Sequence, residues 1–159
     1  MSTNKSCYDA IVVGAGHAGV EAGLALARLG HETLVLSITL DNVAYLACNP
    51  SIGGPAKGHL VHSLRAQVDK YKYHEYMKSV LEKHPKIHLR QGEASDLIVE
   101  NDVVKGVRTV YKMEYYAPVV VLACGVYLKS TIIVGDVIEP KGPVCFNRAN
   151  HLSDSLKAL

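Results

Sequence analysis

The apolar positions of this chain fall into a series of short runs separated by turn residues. Tyr8 to Val13 is a nearly all-apolar strand pattern that runs into Gly14-x-Gly16-x-x-Gly19, and an alanine-rich helical pattern containing Glu21 to Leu29 follows at once. Gly30-His31 stops that helix, and Glu32 to Leu36 predicts a second strand. Residues Asp41 to His59 are rich in Gly, Pro, Asn and Ser and read as a loop. An apolar stripe of Leu64, Val68, Tyr71, Met77, Val80 and Leu81 predicts a helix from about His62 to Lys83. A strand is expected at Lys86 to Arg90, then a hairpin of Leu97–Val99 and Val103–Tyr111 around Glu100-Asn101-Asp102. Glu114 to Ala117 would add a third antiparallel strand, and Val119 to Ala123 reads as a buried strand of the parallel type. The remainder is turn-rich until Asn150 to Leu156, which has the form of a capped helix start.

Order matters here as much as composition. A glycine motif lying between a strand and a helix, in a strand–helix–strand unit of about 30 residues, predicts a dinucleotide-binding turn. Gly14 would allow the tight turn, Gly16 the close approach of a pyrophosphate, and Gly19 close packing of helix on strand. Ala15, His17 and Ala18 complete the same turn, whose backbone N–H groups and positive helix end would face phosphates. Many such units carry an acid at the end of the second strand to hold a ribose hydroxyl. Here that position is Ser37, with Asp41 four residues later. A β-meander inserted after the third strand, and a late apolar strand closing on Ala123-Cys124-Gly125, distinguish a flavin-type domain from a nicotinamide-type one, whose crossover is usually helical. The expected fold is therefore α/β: a Rossmann-like FAD-binding domain with a parallel sheet and an inserted antiparallel β-meander. Gly125 would sit near the first turn, at the pyrophosphate.

Composition narrows the class. The 159 residues suit one domain, and 48% hydrophobic with 20% charged residues is globular. The longest apolar run, near Val119 to Val126, is far short of the ~20 residues of a membrane span. The first six residues have no apolar core of a secretory signal. Cys7, Cys48, Cys124 and Cys145 lie far apart without a C-x-x-C pair, a spacing suited to a reducing cytoplasm and to neither a disulfide framework nor a zinc site. Charge is uneven: between Lys57 and Arg90 eight basic residues face three acids, a local +5 within a total of +2. That segment could meet nucleic acid, or be a solvated helix face laced with pairs such as Arg65–Asp69. Its histidines His59, His62, His74 and His84 show no metal-ligand spacing beside a carboxylate, so no metal is expected.

The sharpest local signature is Ala47 to Leu60, ACNPSIGGPAKGHL. Asn49-Pro50 starts a turn, and Gly53-Gly54 would let backbone lie flat against a planar ring. Cys48 is a candidate nucleophile beside a cofactor, its thiolate favoured if Lys57 and His59 fold back towards it. A small buried hydrophobe is the commoner role of a free cysteine.

With GAGHAG and CNPSIGGPAKGHL in hand, Tyr8 to Leu60 resembles the N-terminal FAD domain of the MnmG (GidA) family of tRNA-modifying enzymes. The resemblance extends through Ser63–Lys70, Leu97–Glu100, Val119–Gly125 and Asn150–Leu159, nearly the whole chain. It implies FAD as cofactor, NADH as reductant, a homodimer, a GTPase partner MnmE, and tRNA as substrate, with an aminomethyl or carboxymethylaminomethyl group installed on the wobble uridine. Residue by residue it implies that Gly14, Ala15, Gly16, His17, Ala18 and Gly19 line the FAD diphosphate, that Ala94 contacts the adenine side through backbone, and that Ser153 makes a further FAD contact. Cys48 matches one of two family cysteines implicated in chemistry on the uridine.

The departures are informative too. The family is several times longer; its second cysteine, NADH-interacting region and C-terminal helical tRNA and partner domain have no counterpart in residues 1–159. About two dozen family residues are also missing where Val61 runs into His62, an internal gap. The 159 residues are thus expected to form one FAD-binding domain that is inactive alone. Two other functions fit parts of the pattern: a non-catalytic truncated FAD- or nucleotide-binding module, and a generic flavin oxidoreductase acting on a small molecule.

Overall fold

The computed structural model describes residues 6–47, 51–53 and 65–159. In chain order, β1 (Ala10–Val13), α1 (His17–Arg28) and β2 (Thr33–Ser37) form the opening unit, followed by a 3-10 turn at Leu40–Asn42. Short strands β3 (Ser51–Gly53) and β4 (Arg65–Gln67) pair antiparallel. Then come α2 (Lys70–Lys83), β5 (Ile87–Gln91), the meander β6 (Ala94–Glu100), β7 (Val103–Thr109) and β8 (Glu114–Tyr116), and β9 (Val119–Leu122). A small hairpin of β10 (Ile132–Val134) and β11 (Val137–Glu139) precedes α3 (Leu152–Lys157). The central sheet is parallel, in the order β5-β2-β1-β9. The fold is α/β and Rossmann-like, with the three-stranded antiparallel sheet β6-β7-β8 inserted between its third and last strands.

Alternation along β1 and β2 makes three layers. Val12 and Val35 point to one face, where Val20 and Leu24 of α1 and Met77 and Leu81 of α2 cover them. Ile11, Val13, Leu34 and Leu36 point to the other, against Val107 of the meander, Ala117 and Leu152. Every residue of β1 and β2 is buried, so the strands read as continuous apolar runs. Each fully buried Leu or Ile side chain there contributes about 1.5–3 kcal/mol of transfer free energy.

Several local expectations need correction. The helix expected from about His62 starts at Lys70: the Asp69 carboxylate accepts from the N–H groups of Tyr71 at 3.0 Å and Lys72 at 3.1 Å, capping the first turn. Arg65 is in a strand, so Arg65–Asp69 is not a helical pair. Val119–Leu122 pairs parallel with β1, yet it is not fully buried: it is the last strand of the sheet, and Val119 and Leu122 stay 48% and 41% exposed. The 150–156 segment is helical from Leu152, but no side chain caps it; the Ser155 hydroxyl instead accepts from Leu97 N–H at 3.1 Å and ties α3 to the meander. Finally, the turn-rich stretch before it holds a hairpin turning at Gly135 and Asp136. Within the meander, Asn101 and Asp102 both take positive φ (51° and 60°), the turn chemistry their side chains tolerate.

Candidate functional site

A cleft opens at the C-terminal ends of β1, β2 and β5, where an open α/β sheet binds its ligands. Its floor is the turn after β1. Gly14 adopts φ +107°, and a Cβ there would lie 2.3 Å from the Ala123 carbonyl oxygen, so both conformation and space demand glycine. That closeness follows from parallel pairing: Gly14 N–H donates to Leu36 O at 2.8 Å, and Ala123 N–H to Val13 O at 2.8 Å. Gly19 packs tighter still, since a Cβ would lie 1.8 Å from Gly14 O. Gly16 is different. Nothing lies within 4 Å of where its Cβ would stand. It is the N-cap of α1, has extended backbone (φ −69°, ψ −174°) and offers no side-chain cap, so the N–H groups of the first turn have no protein acceptor from a cap. Open space over Gly16 beside an uncapped helix end is a cradle for an anion.

The structure brings Gly14, Ala15, Gly16, Ser37, Ala94 and Gly125 into this one cleft. His17, Ala18 and Gly19 form the adjoining first turn of α1. The His17 ring stacks on Tyr73 of α2 (centroids 5.7 Å apart, planes 13° apart), which anchors the helix start. Burial first, and Glu21 second, push the Tyr73 phenol up from its ordinary value. Ser153 does not line the cleft; its neighbour Leu152 does, together with Ala149. Cys48 lies outside the described residues, as do most positions of the ACNPSIGGPAKGHL loop. Gly125 takes φ +57° at the far wall. Next to it the Cys124 thiol, pushed up by burial, donates to Val13 O at 3.7 Å, which makes it a packing group.

Ser37 is buried, and its hydroxyl donates to Thr39 O at 2.7 Å. Asn42 and Glu93 are among the cleft residues that escaped the sequence reading. Asn42 ends the 3-10 turn, and its Oδ1 is buried without a hydrogen-bond partner among the described residues. Glu93 stands just past β5, where Gly92 N–H donates to Ser37 O at 2.8 Å; its Oε1 accepts from Asn150 N–H at 3.1 Å. The available signal was an acid beside a glycine at a strand end, and only the β2–β5 pairing, Ser37 opposite Gln91, brings it next to Ser37. No group of three or more His, Cys, Asp or Glu able to hold a metal occurs among the described residues. No helix among them is long and apolar enough to cross a membrane.

The family model described as glucose inhibited division protein A (GidA) matches residues 9–65 and 57–159. The chain belongs to the GidA family. A GidA-family relative from Alkaliphilus oremlandii, the "tRNA uridine 5-carboxymethylaminomethyl modification enzyme MnmG", is 47% identical over all of this chain and 30% of its own length. The solved structure of Aquifex aeolicus GidA is similar with a TM-score of 0.90 at 35% identity, over 96% of this chain and 31% of that one. A GidA-related protein from Thermus thermophilus is similar with a TM-score of 0.81 at 28% identity, over 95% of this chain and 68% of that one. The chain thus spans about three tenths of the length of the curated relatives it matches.

Proposed function

We propose that this chain is the FAD-binding part of a tRNA-modifying flavoenzyme of the MnmG type. In that reading the whole enzyme, a homodimer working with the GTPase MnmE, adds a (carboxymethyl)aminomethyl group to C5 of the wobble uridine. One observation carries the cofactor: the glycine turn leaves open space over Gly16 at an uncapped helix end, a fit for a dinucleotide's pyrophosphate. The substrate class rests on the name carried by relatives up to 47% identical. The flavin would supply two-electron chemistry, with NADH as its reductant.

The chain's own residues then divide the work. Gly14, Ala15 and Gly16, with the backbone of His17, Ala18 and Gly19, would bind the diphosphate. Ala94 would offer backbone to the adenine side, Ser37 an oxygen to the ribose, and Gly125 an unobstructed wall. Ser153 would contact the cofactor from the α3 side, and Cys48 would act on the uridine, as the family motif implies. Residues 1–159 would be one FAD-binding domain with an internal gap near 61–62. In support, 191 aligned positions of the A. oremlandii relative face 159 residues here, leaving 32 without a counterpart. Action on tRNA would place the protein in the cytoplasm.

The test is direct. FAD added to the purified chain and followed through gel filtration should co-elute as bound flavin absorbance near one per chain; protein emerging colourless refutes the cofactor. A second reading is a module that binds FAD or another nucleotide without catalysis of its own. A single-turnover assay with NADH, FAD, MnmE and tRNA separates the two, and the expected result from these 159 residues alone is no wobble-uridine product.

A further inference from the structure

The cleft is polarised. At the glycine turn it offers backbone N–H donors; at the ends of β2 and β5 it offers acceptors. Ser37 is 5% exposed and its hydroxyl hydrogen is committed to Thr39 O at 2.7 Å, so towards a ligand Oγ has only lone pairs. Asn42 Oδ1 is a buried acceptor with no donor among the described residues. Leaving such an atom unmatched costs about 1–3 kcal/mol, which a ligand's donor would recover. Glu93 brings a carboxylate to the same corner: Gly92 N–H on Ser37 O fixes its backbone, and Asn150 N–H occupies one oxygen at 3.1 Å. Its second oxygen has no partner among the described residues. The position where a dinucleotide fold commonly keeps its ribose acid holds a serine, and the neighbouring parallel strand delivers a carboxylate beside it.

We infer that Glu93, with Ser37 and Asn42, forms an acceptor-only pocket for the vicinal hydroxyls of the ligand's adenosine ribose and rejects a phosphate on them. Two hydroxyls present the two donors that this corner lacks. A ribose phosphate would set negative charge against the Glu93 carboxylate and bring no donor to Asn42 Oδ1. The inference rests on the dinucleotide reading of the cleft, and goes beyond it in assigning which ribose the site accepts and which side chains decide.

The experiment uses the 159-residue chain and measures displacement of bound FAD by ADP, 2′-deoxy-ADP, 3′-deoxy-ADP and 2′-phosphorylated ADP. In the wild type, loss of at least one hydroxyl should weaken displacement roughly 10- to 100-fold, the range of a hydrogen bond to a charged group. The 2′-phosphorylated probe should be at least as weak. Glu93→Gln keeps an oxygen for Asn150 N–H but removes the charge; it should shrink the hydroxyl penalty and partly restore the 2′-phosphorylated probe. Glu93→Ala should shrink the hydroxyl penalty at least as far, leaving only the smaller part that Ser37 and Asn42 supply. If both Glu93 variants weaken ADP and deoxy-ADP by the same factor, Glu93 is only a strap on Asn150 and the inference falls. If the deoxy probes match ADP in the wild type, it falls as well. FAD that never binds removes the cofactor reading itself, a separate outcome visible before any competitor is added.

Discussion

Gly16→Ala separates the fold from the site. A Cβ at residue 16 meets no atom within 4 Å, and φ −69° with ψ −174° is ordinary extended backbone for alanine. The cost to the empty protein is confined to exchanging glycine for alanine at an N-cap, on the order of 0.5 kcal/mol, or a Tm change of about 2 °C for a chain of this size. The new methyl group stands in the space a phosphate needs to reach the first-turn N–H groups. Losing even one charge-assisted N–H···O bond of about 1.5–3 kcal/mol weakens binding roughly 10- to 100-fold. Differential scanning calorimetry on the empty chain and fluorescence titration with FAD measure the two quantities. The contrast is Gly19→Ala, whose Cβ would overlap Gly14 O at 1.8 Å. Backbone cannot yield as a flexible side chain does, so this variant should unfold at least 1–3 kcal/mol more easily whether or not flavin is present. Wild-type FAD affinity in Gly16→Ala would refute the idea that the turn cradles the pyrophosphate.

Further outcomes follow from other elements. Asp69→Ala removes the acceptor for Tyr71 and Lys72 N–H and should destabilise the chain by about 0.5–2 kcal/mol, read from urea unfolding. Reversing Lys70 and Lys72 to Glu on the basic helix should weaken tRNA binding at low salt and flatten its salt dependence while leaving FAD uptake unchanged; filter binding across salt concentrations decides it. On the meander, the Tyr116 hydroxyl donates to Glu114 Oε2 at 2.6 Å and Arg108 holds Oε1 at 2.7–2.9 Å, which lowers the Glu114 carboxyl below its ordinary value, Tyr116 first and Arg108 second. A depressed folded-state value means that this pairing stabilises above the unfolded Glu value of about 4.3 and is lost as pH falls through the folded one. Tyr116→Phe should move the Glu114 carboxyl titration upward in an NMR pH series; an unmoved titration would show that Arg108 alone sets it.

Legibility in the sequence tracked how local the physics was. The strand, glycine turn and first helix could be read because their order along the chain is local and Gly19 packs on Gly14 only five residues away, although the carbonyl that crowds Gly14 comes from distant Ala123. The Asn101-Asp102 turn was equally visible. The start of α2 was misplaced because apolar spacing runs smoothly through Leu64 and Val68, while the cap that decides the boundary is a single carboxylate, Asp69. The exposure of Val119 and Leu122 was hidden for another reason: a run of valines is the same string in the middle of a sheet or at its edge. Glu93 escaped because an acid beside a glycine at a strand end is a weak mark by itself; only the pairing of β5 beside β2 makes it a neighbour of Ser37. Gly14, Ser37 and Gly125 are expected from their positions at strand ends, where an open α/β sheet places its ligand cleft, and all three line one cleft here.

The backing of Gly14 by Ala123 has a kinetic consequence. Ala10 aligns with Val119, so the strand that floors the glycine turn arrives more than a hundred residues after it. Closing so long a loop is entropically slow, and the cavity exists only once both ends have met. A nascent chain that has emerged only as far as α2 would therefore own the phosphate motif yet have nowhere to seat a nucleotide. Any ligand that touches both walls would act as a reversible tether between distant parts of the polypeptide, slowing its opening more than its closing.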